Sequence, residues 1–297
     1  MDRTRDLPTW PHADTSRFIR SGPHDWHVQE MGSGPTLLCL HGAGASTHTW
    51  RDLMPVLAQR WHVVAIDLPG QGFTRASTLN RCGLDHMTRD IGALCAAEGW
   101  HLTGIVGHSA GAAIALNLAP RLPEAPAVVG INAALGQFRG VASWLFPLLA
   151  KLLTLNPLTS RLFTLGGPNP ARARRLIEGT GSRIDAAGLA LYARLIANRG
   201  HVDATLQMMT QWQIDGLLSR LGQIPAATLL IAADGDLAVP PDTSDSAALR
   251  LPDATVTRLP GLGHLAHEEA PDRVAELIET HLQASASAEF RERAPCA

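Results

Sequence analysis

Short apolar runs, each closed by Gly, Asp or His, alternate along the chain with longer stretches of helical periodicity. Five runs are clear, at 36–40, 63–67, 102–107, 127–132 and 227–232, and a sixth at 254–259 alternates in the manner of a more exposed strand. Helical patterns fit between them over 50–59, 84–98, 109–119, 243–251 and 271–281. This alternation predicts βαβ units, and therefore one mostly parallel sheet with helices on both faces. An earlier run at 26–31 reads as an antiparallel strand, because the Gly32-Ser33-Gly34-Pro35 that follows has the composition of a tight hairpin turn.

The interval between the runs at 127 and 227 carries helical patterns and no convincing strand. A structureless loop of that length is foreign to a compact domain. Residues 136–222 are therefore expected to form a helical cap, inserted into a core made of 1–135 and 223–283. The remaining 284–297, ASASAEFRERAPCA, is small and polar and is expected to be a disordered tail. A total of 297 residues is compatible with two domains, and also with one α/β unit carrying an insertion.

Composition narrows the class. Apolar residues are 45% and charged residues 18%, as in ordinary globular proteins. A net charge of −2 disfavours binding to the phosphate backbone of a nucleic acid. Cys39, Cys82, Cys95 and Cys296 have no CxxC spacing, so neither a zinc site nor a disulfide framework is indicated. The N-terminal MDRTRDLPTWPHAD lacks the apolar stretch of a secretory signal, and a cytoplasmic location is expected. The longest apolar stretch, 141–155, contains Pro147 and Lys151 and is too short for a transmembrane helix. It could lie at a lipid surface, although burial in the cap is the default.

Gly107-His108-Ser109-Ala110-Gly111 is a GxSxG sequence placed between a strand run and a helix. The string alone can arise by chance in a Gly-rich chain; its position is the specific signal. A nucleophile elbow needs a sharp strand-to-helix turn, with glycines that let the strained serine approach neighbouring backbone. A serine hydroxyl is a poor nucleophile near neutral pH, so it needs a histidine base, itself oriented by an acid. Asp236, following the run at 227, is the chosen acid, with Asp234 as the fallback. Gly261-Leu262-Gly263-His264-Leu265 follows the last strand and supplies the base, His264, giving the chain order Ser, Asp, His. His41-Gly42-Ala43-Gly44 ends the first run, so the N–H groups of Ala43 and Ala110 are candidates for an oxyanion hole. No GxGxxG or GxxxxGK[ST] is present, which disfavours nucleotide binding, and no cofactor is expected. His264-x-x-His267-Glu268 has the look of half a metal site but lacks a third ligand at a sensible spacing, so no metal is expected.

HGAG, DLPGQG, GHSAG, GDLAVP and GLGHLAHEEAP, in this order, resemble the α/β-hydrolase superfamily over residues 25–283. Serine at the elbow sets the chain apart from haloalkane dehalogenases and epoxide hydrolases, which carry aspartate there. WHVQ, GASTHTWRDL, GHSAGAAIAL, INAAL, the cap segments LFPLLAKLLTLNPL and GTGSRIDAAGLALY, and HLAHEE are similar to the magnesium-chelatase accessory proteins of bacteriochlorophyll gene clusters. That resemblance implies a serine hydrolase of ester-like bonds acting beside Mg²⁺ insertion into protoporphyrin IX, with chelatase subunits as partners. Two other readings stay open: a non-catalytic porphyrin-binding or chelatase-docking protein, and a general carboxylesterase or perhydrolase.

An apolar or tetrapyrrole-like small molecule is the expected ligand, because the cap is rich in aromatic and methionine side chains that adapt to large flat surfaces. Trp50, His108, Phe138, Trp144, Phe146, Met208 and Trp212 are the candidates for a ligand-facing wall, and each could equally be core. Arg172, Arg174 and Arg175 could pair with ligand carboxylates, although a solvated helix face explains them as well.

Overall fold

The structure is a computed structural model that describes residues 1–136, 164 and 166–293, with the side chains of 287–293 excepted. Its centre is a sheet whose main path runs β1 (Ser16–Ser21), β2 (His24–Met31), β4 (His62–Ile66), β3 (Thr36–Leu40), β6 (Leu102–His108), β7 (Ala127–Ile131), β8 (Thr228–Ala233), β9 (Ala254–Leu259), and β5 (Arg75–Ala76) pairs with β2. From β4 to β9 every pairing is parallel, whereas β2 is antiparallel to both β1 and β4. The interior strands β3, β4, β6, β7 and β8 are apolar almost throughout because helices cover both faces, leaving no solvated side to alternate toward.

Helices α1 (Arg3–Asp6), α2 (Leu53–Leu57), α3 (Leu84–Glu98) and α4 (Ala110–Leu118) lie in the first half of the chain. All nine residues of α4 are buried; its alanines let the backbone settle directly on the sheet. One apolar cluster joins α3 and α4 to one face, and a second joins α2 and the C-terminal helix to the other. Between β7 and β8 the described elements are α5 (Pro170–Glu178), α6 (Ala186–Ile196), α7 (Arg199–Gln211) and α8 (Asp215–Ser219), with a short 3-10 turn. They fall within the interval expected to form the helical cap. Helices α9 (Asp242–Ala248), α10 (Ala266–Glu269) and α11 (Pro271–Arg293) complete the chain.

Two expectations are corrected. The turn after β2 is no hairpin: β4 inserts between β2 and β3, and its first residue, His62, donates its N–H to Pro35 O at 3.0 Å. Parallel pairing with β3 on one edge and antiparallel pairing with β2 on the other uses both edges of β4, which a β2–β3 hairpin would leave exposed. The expected disordered tail from 284 instead extends α11 to Arg293. The helix is anchored by Val274, Ile278 and Leu282 against the sheet, and the Ala, Glu and Arg beyond them are good helix formers. Strand β1 has no counterpart in the sequence reading; its half-exposed edge residues give little periodic signal. Among the described residues no helix is long and apolar enough to cross a membrane.

Candidate active site

The loops leaving β3, β4, β6, β7, β8 and β9 all emerge at the carboxyl edge of the parallel strands, the edge at which open α/β sheets assemble their sites. Ser109 forms the sharp turn between β6 and α4, with φ 52° and ψ −115°. Backbone held in so sparse a region costs of order 1–3 kcal/mol. The surroundings hold it there: its N–H donates to Ile131 O at 2.9 Å, and its carbonyl accepts from Ala112 and Ala134 at 3.1 Å each. Gly111 is obligatory in this turn, since a Cβ would fall 2.0 Å from Leu40 O.

The loop after β9 brings in His264. Its Nδ1 lies 2.7 Å from Asp236 Oδ2, while Asp236 Oδ1 accepts the N–H groups of Ala238 and Val239 at 2.8 Å each. With the carboxylate fixed by two amides, the imidazole proton sits on Nδ1 and the Nε2 lone pair is left as the basic end. Asp234, the fallback acid, pairs instead with Arg258 at 3.4 Å. The carbonyl of His264 accepts from His108 Nε2 at 2.9 Å and Asn132 Nδ2 at 2.8 Å, and the His108 and His264 rings lie 4.7 Å apart. Because His108 precedes Ser109 in the chain, the His264 loop is tied to the elbow itself.

The loop after β3 closes the other side. A Cβ on Gly42 would lie 3.1 Å from Ser109 Cβ, so the loop rests on the elbow. Burial holds the His41 pKa below its ordinary value, against the pull of Asp67, so its ring is neutral. Its Nε2 accepts from Leu68 N–H at 2.9 Å, which puts the proton on Nδ1, and Nδ1 donates to Gly42 O at 2.7 Å. Ala45 N–H donates to the same carbonyl at 3.2 Å. In a trans peptide the C=O and N–H point oppositely, so pinning Gly42 O also fixes the direction of the Ala43 N–H. Ala43 is exposed and Ala110 buried.

Several residues that organise this edge carry no sequence signal of their own. Asn132, at φ 46° just past β7, accepts from Ala233 N–H at 2.8 Å and donates to the carbonyls of Gly263 and His264, joining β7, β8 and the His264 loop. Asp67 accepts from Thr47 N–H, Phe73 N–H and His27, each at 2.7 Å. Burial would push its carboxyl up, but these partners and His41 bring it down to about 2. From the cap, His201 accepts Gly72 N–H at 3.0 Å and donates to Gly44 O at 3.1 Å, and burial lowers its pKa to about 4. Glu268 is wholly buried, accepting from Thr49 at 2.5 Å, Tyr192 at 2.7 Å and Arg51. Its burial pushes the carboxyl up against the pull of those three donors.

The ligand-wall candidates fare differently. Trp50 is 1% exposed, packed with its ring 4.8 Å from that of His267, and Met208 is 1% exposed with its sulfur taken by Gln71 Nε2 at 3.3 Å. Both belong to the core rather than to a wall, because each fills the junction between sheet and flanking helices. His108 is buried as the tie just described, and Trp212 is half-buried against the first core cluster. Phe138, Trp144 and Phe146 lie outside the described residues. His267 is committed to Thr49, 2.7 Å from its Nε2.

A strained serine between strand and helix, and a carboxylate-bonded histidine on a loop at the same carboxyl edge of a parallel sheet, fit the framework of the α/β hydrolases, and residues 35–271 match the model of the alpha/beta hydrolase fold. The chain belongs to this family. It is 46% identical over 277 residues, 92% of its own length and 97% of the relative's, to the magnesium-chelatase 30 kDa subunit of Rhodobacter capsulatus, which bears out the resemblance seen in the motifs. It is also 27% identical to the pimeloyl-[acyl-carrier protein] methyl ester esterase of Nitrosomonas europaea, over 85% of this chain and 98% of that one. Among solved structures, the epoxide hydrolase CorEH matches with a TM-score of 0.78 at 18% identity, covering 91% of this chain and 99% of its own. The meta-cleavage product hydrolase CumD matches with a TM-score of 0.74 at 20% identity over the same shares. At these identities the structures share the fold alone.

Proposed function

We propose that the protein is a serine hydrolase of ester-like bonds, acting as an accessory factor to magnesium insertion into protoporphyrin IX in bacteriochlorophyll biosynthesis. Ser109 Oγ attacks the ester carbonyl and passes its proton to His264 Nε2. Asp236 holds the imidazole in the productive tautomer and stabilises its cation. The Ala43 and Ala110 N–H groups receive the developing oxyanion; loss of one such donor costs roughly 10²- to 10³-fold. As the intermediate collapses, His264 returns the proton to the departing alkoxide. Water then repeats the sequence on the acyl-serine, releasing the carboxylic acid and restoring Ser109.

The observation that carries the chemistry is the Asp236–His264 bond of 2.7 Å on a loop tied through His108 to the strained Ser109. The biosynthetic setting rests on the 46% identity to the chelatase 30 kDa subunit, and with it chelatase subunits as partners and a tetrapyrrole-like ligand. A fluorophosphonate probe tests the chemistry: wild type should be labelled and Ser109→Ala should not. Absence of labelling in both would leave the non-catalytic binding role, which micromolar porphyrin quenching of tryptophan fluorescence would then support.

A further inference from the structure

The cap segment GTGSRIDAAGLALY, residues 179–192, is spent on the loops that carry the acid and the base. After α5 the chain runs along both. Thr180 O accepts N–H groups from Leu237, next to Asp236, at 3.1 Å and from His264 at 3.4 Å. Ser182, fully buried, offers its hydroxyl oxygen to Leu265 N–H at 2.7 Å. Glu269 closes the circuit: one carboxylate oxygen accepts Gly263 N–H at 3.0 Å and the other accepts Arg183 N–H at 3.1 Å. Thus four backbone amides, that of 237 in the acid loop and those of 263, 264 and 265 in the His264 loop, are held by the strap or by the carboxylate that grips it.

The fit is close enough to exclude side chains. Gly181 has φ +86°, and a Cβ there would fall 1.9 Å from Gly235 O, in the Asp236 loop. A Cβ on Gly263, in the His264 loop, would fall 2.3 Å from the carbonyl carbon of Gly181. The strap therefore packs closely against both loops, which also meet directly through Gly235 N–H and Leu262 O at 2.9 Å. Further along the same motif, Asp185 receives Arg51 at 3.2 Å and Tyr192 donates to Glu268 at 2.7 Å, so the chain that follows the strap is fastened twice more.

We propose that Thr180, Gly181 and Ser182 form a positioning strap, by which the cap sets the register of Asp236 against His264. Ser182 is a positioning residue: it acts on the base through Leu265 and touches no reacting group. This inference rests on the serine-hydrolase reading for its kinetic consequence, but not for its structural one. Movement of α5 or α6 pulls on the strap and changes the acid–base pair before it changes anything else in the sheet.

The test compares Ser182→Ala and Glu269→Gln with wild type as full chains. Three quantities are read: the unfolding midpoint, the second-order rate of fluorophosphonate labelling at Ser109, and the downfield proton NMR resonance of the His264 Nδ1–H bonded to Asp236. Both variants are expected to remain folded, to label of order 10- to 100-fold more slowly, and to shift or broaden that resonance. With a chromogenic ester the loss should fall on kcat, with KM little changed. Folded variants that label at the wild-type rate with the resonance unmoved overturn the strap. If wild type itself is not labelled, the hydrolase reading fails, and the resonance alone decides the strap: unmoved in both variants refutes it, displaced in both supports it.

Discussion

Lowering the pH from 7.5 to 5 should strip a defined amount of stability from this protein, and His201 allows the loss to be assigned. Its imidazole is buried between Gly72 N–H and Gly44 O, and burial holds its pKa at about 4; His267, buried beside Thr49, is held at about 3 by the same cause, reinforced by His264 and Arg51. Unfolded, each titrates near 6.5. Between these values only the unfolded state binds the proton, so the stabilisation is complete above pH 6.5 and is lost as the pH falls toward 4. At pH 5 each residue has forfeited about 2 kcal/mol, or about 4 kcal/mol together. With a urea slope of about 3 kcal/mol per M, these two residues alone lower the midpoint by about 1.3 M. His201→Gln removes one titrating group. The loss between pH 7.5 and 5 should therefore shrink by about 2 kcal/mol relative to wild type, whatever every other group contributes. Urea titrations of both proteins at both pH values measure this directly. Equal losses in wild type and His201→Gln would refute the reasoning.

Asp236→Asn can keep its amide bonds to Ala238 and Val239 while turning an NH₂ group toward His264, forcing the imidazole into the wrong tautomer. Ester turnover should drop on the order of 10⁴-fold with circular dichroism unchanged. Glu268→Ala leaves the Arg51 guanidinium, 9% exposed, without its main partner, and should cost about 3–5 kcal/mol in chemical unfolding. Gly111→Ala forces a methyl group into Leu40 O and should cost about 1–3 kcal/mol, with Ser109 labelling lost even where the fold survives. Acidification below pH 4 should remove a further increment of about 2 kcal/mol as Asp67, held at about 2, is protonated on folding's losing side; Asp67→Asn should lack that increment in acid titrations followed by fluorescence.

The parallel sheet was legible because its strands, covered on both faces, are unbroken apolar runs such as 102–107 and 227–232. The turns that carry Ser109 and His264 were legible because glycines at a strand end mark backbone that must turn sharply or pack closely. Asp236 was preferred to Asp234 from the sequence, but both follow β8, and only the fold shows which carboxylate meets the imidazole and which meets Arg258. Trp50 and Met208 were left open between core and ligand wall for a related reason: an aromatic or sulfur side chain has the same composition whether it faces a ligand or fills a junction, and only the fold shows both buried.

The sequence by itself determined the main parallel strands and the glycine-bearing turns in which Ser109, Asp236 and His264 stand, because periodicity and turn chemistry are local properties of the chain. Only the tertiary structure decided strand neighbours, which put β4 between β2 and β3, and the partners that orient the base. Asn132, His201, Glu268 and the strap at 180–182 act across separations of tens to more than two hundred residues, and hydrogen bonds between such distant groups leave no periodic trace in the chain. Their geometry exists only once burial of both sheet faces has fixed where each loop emerges.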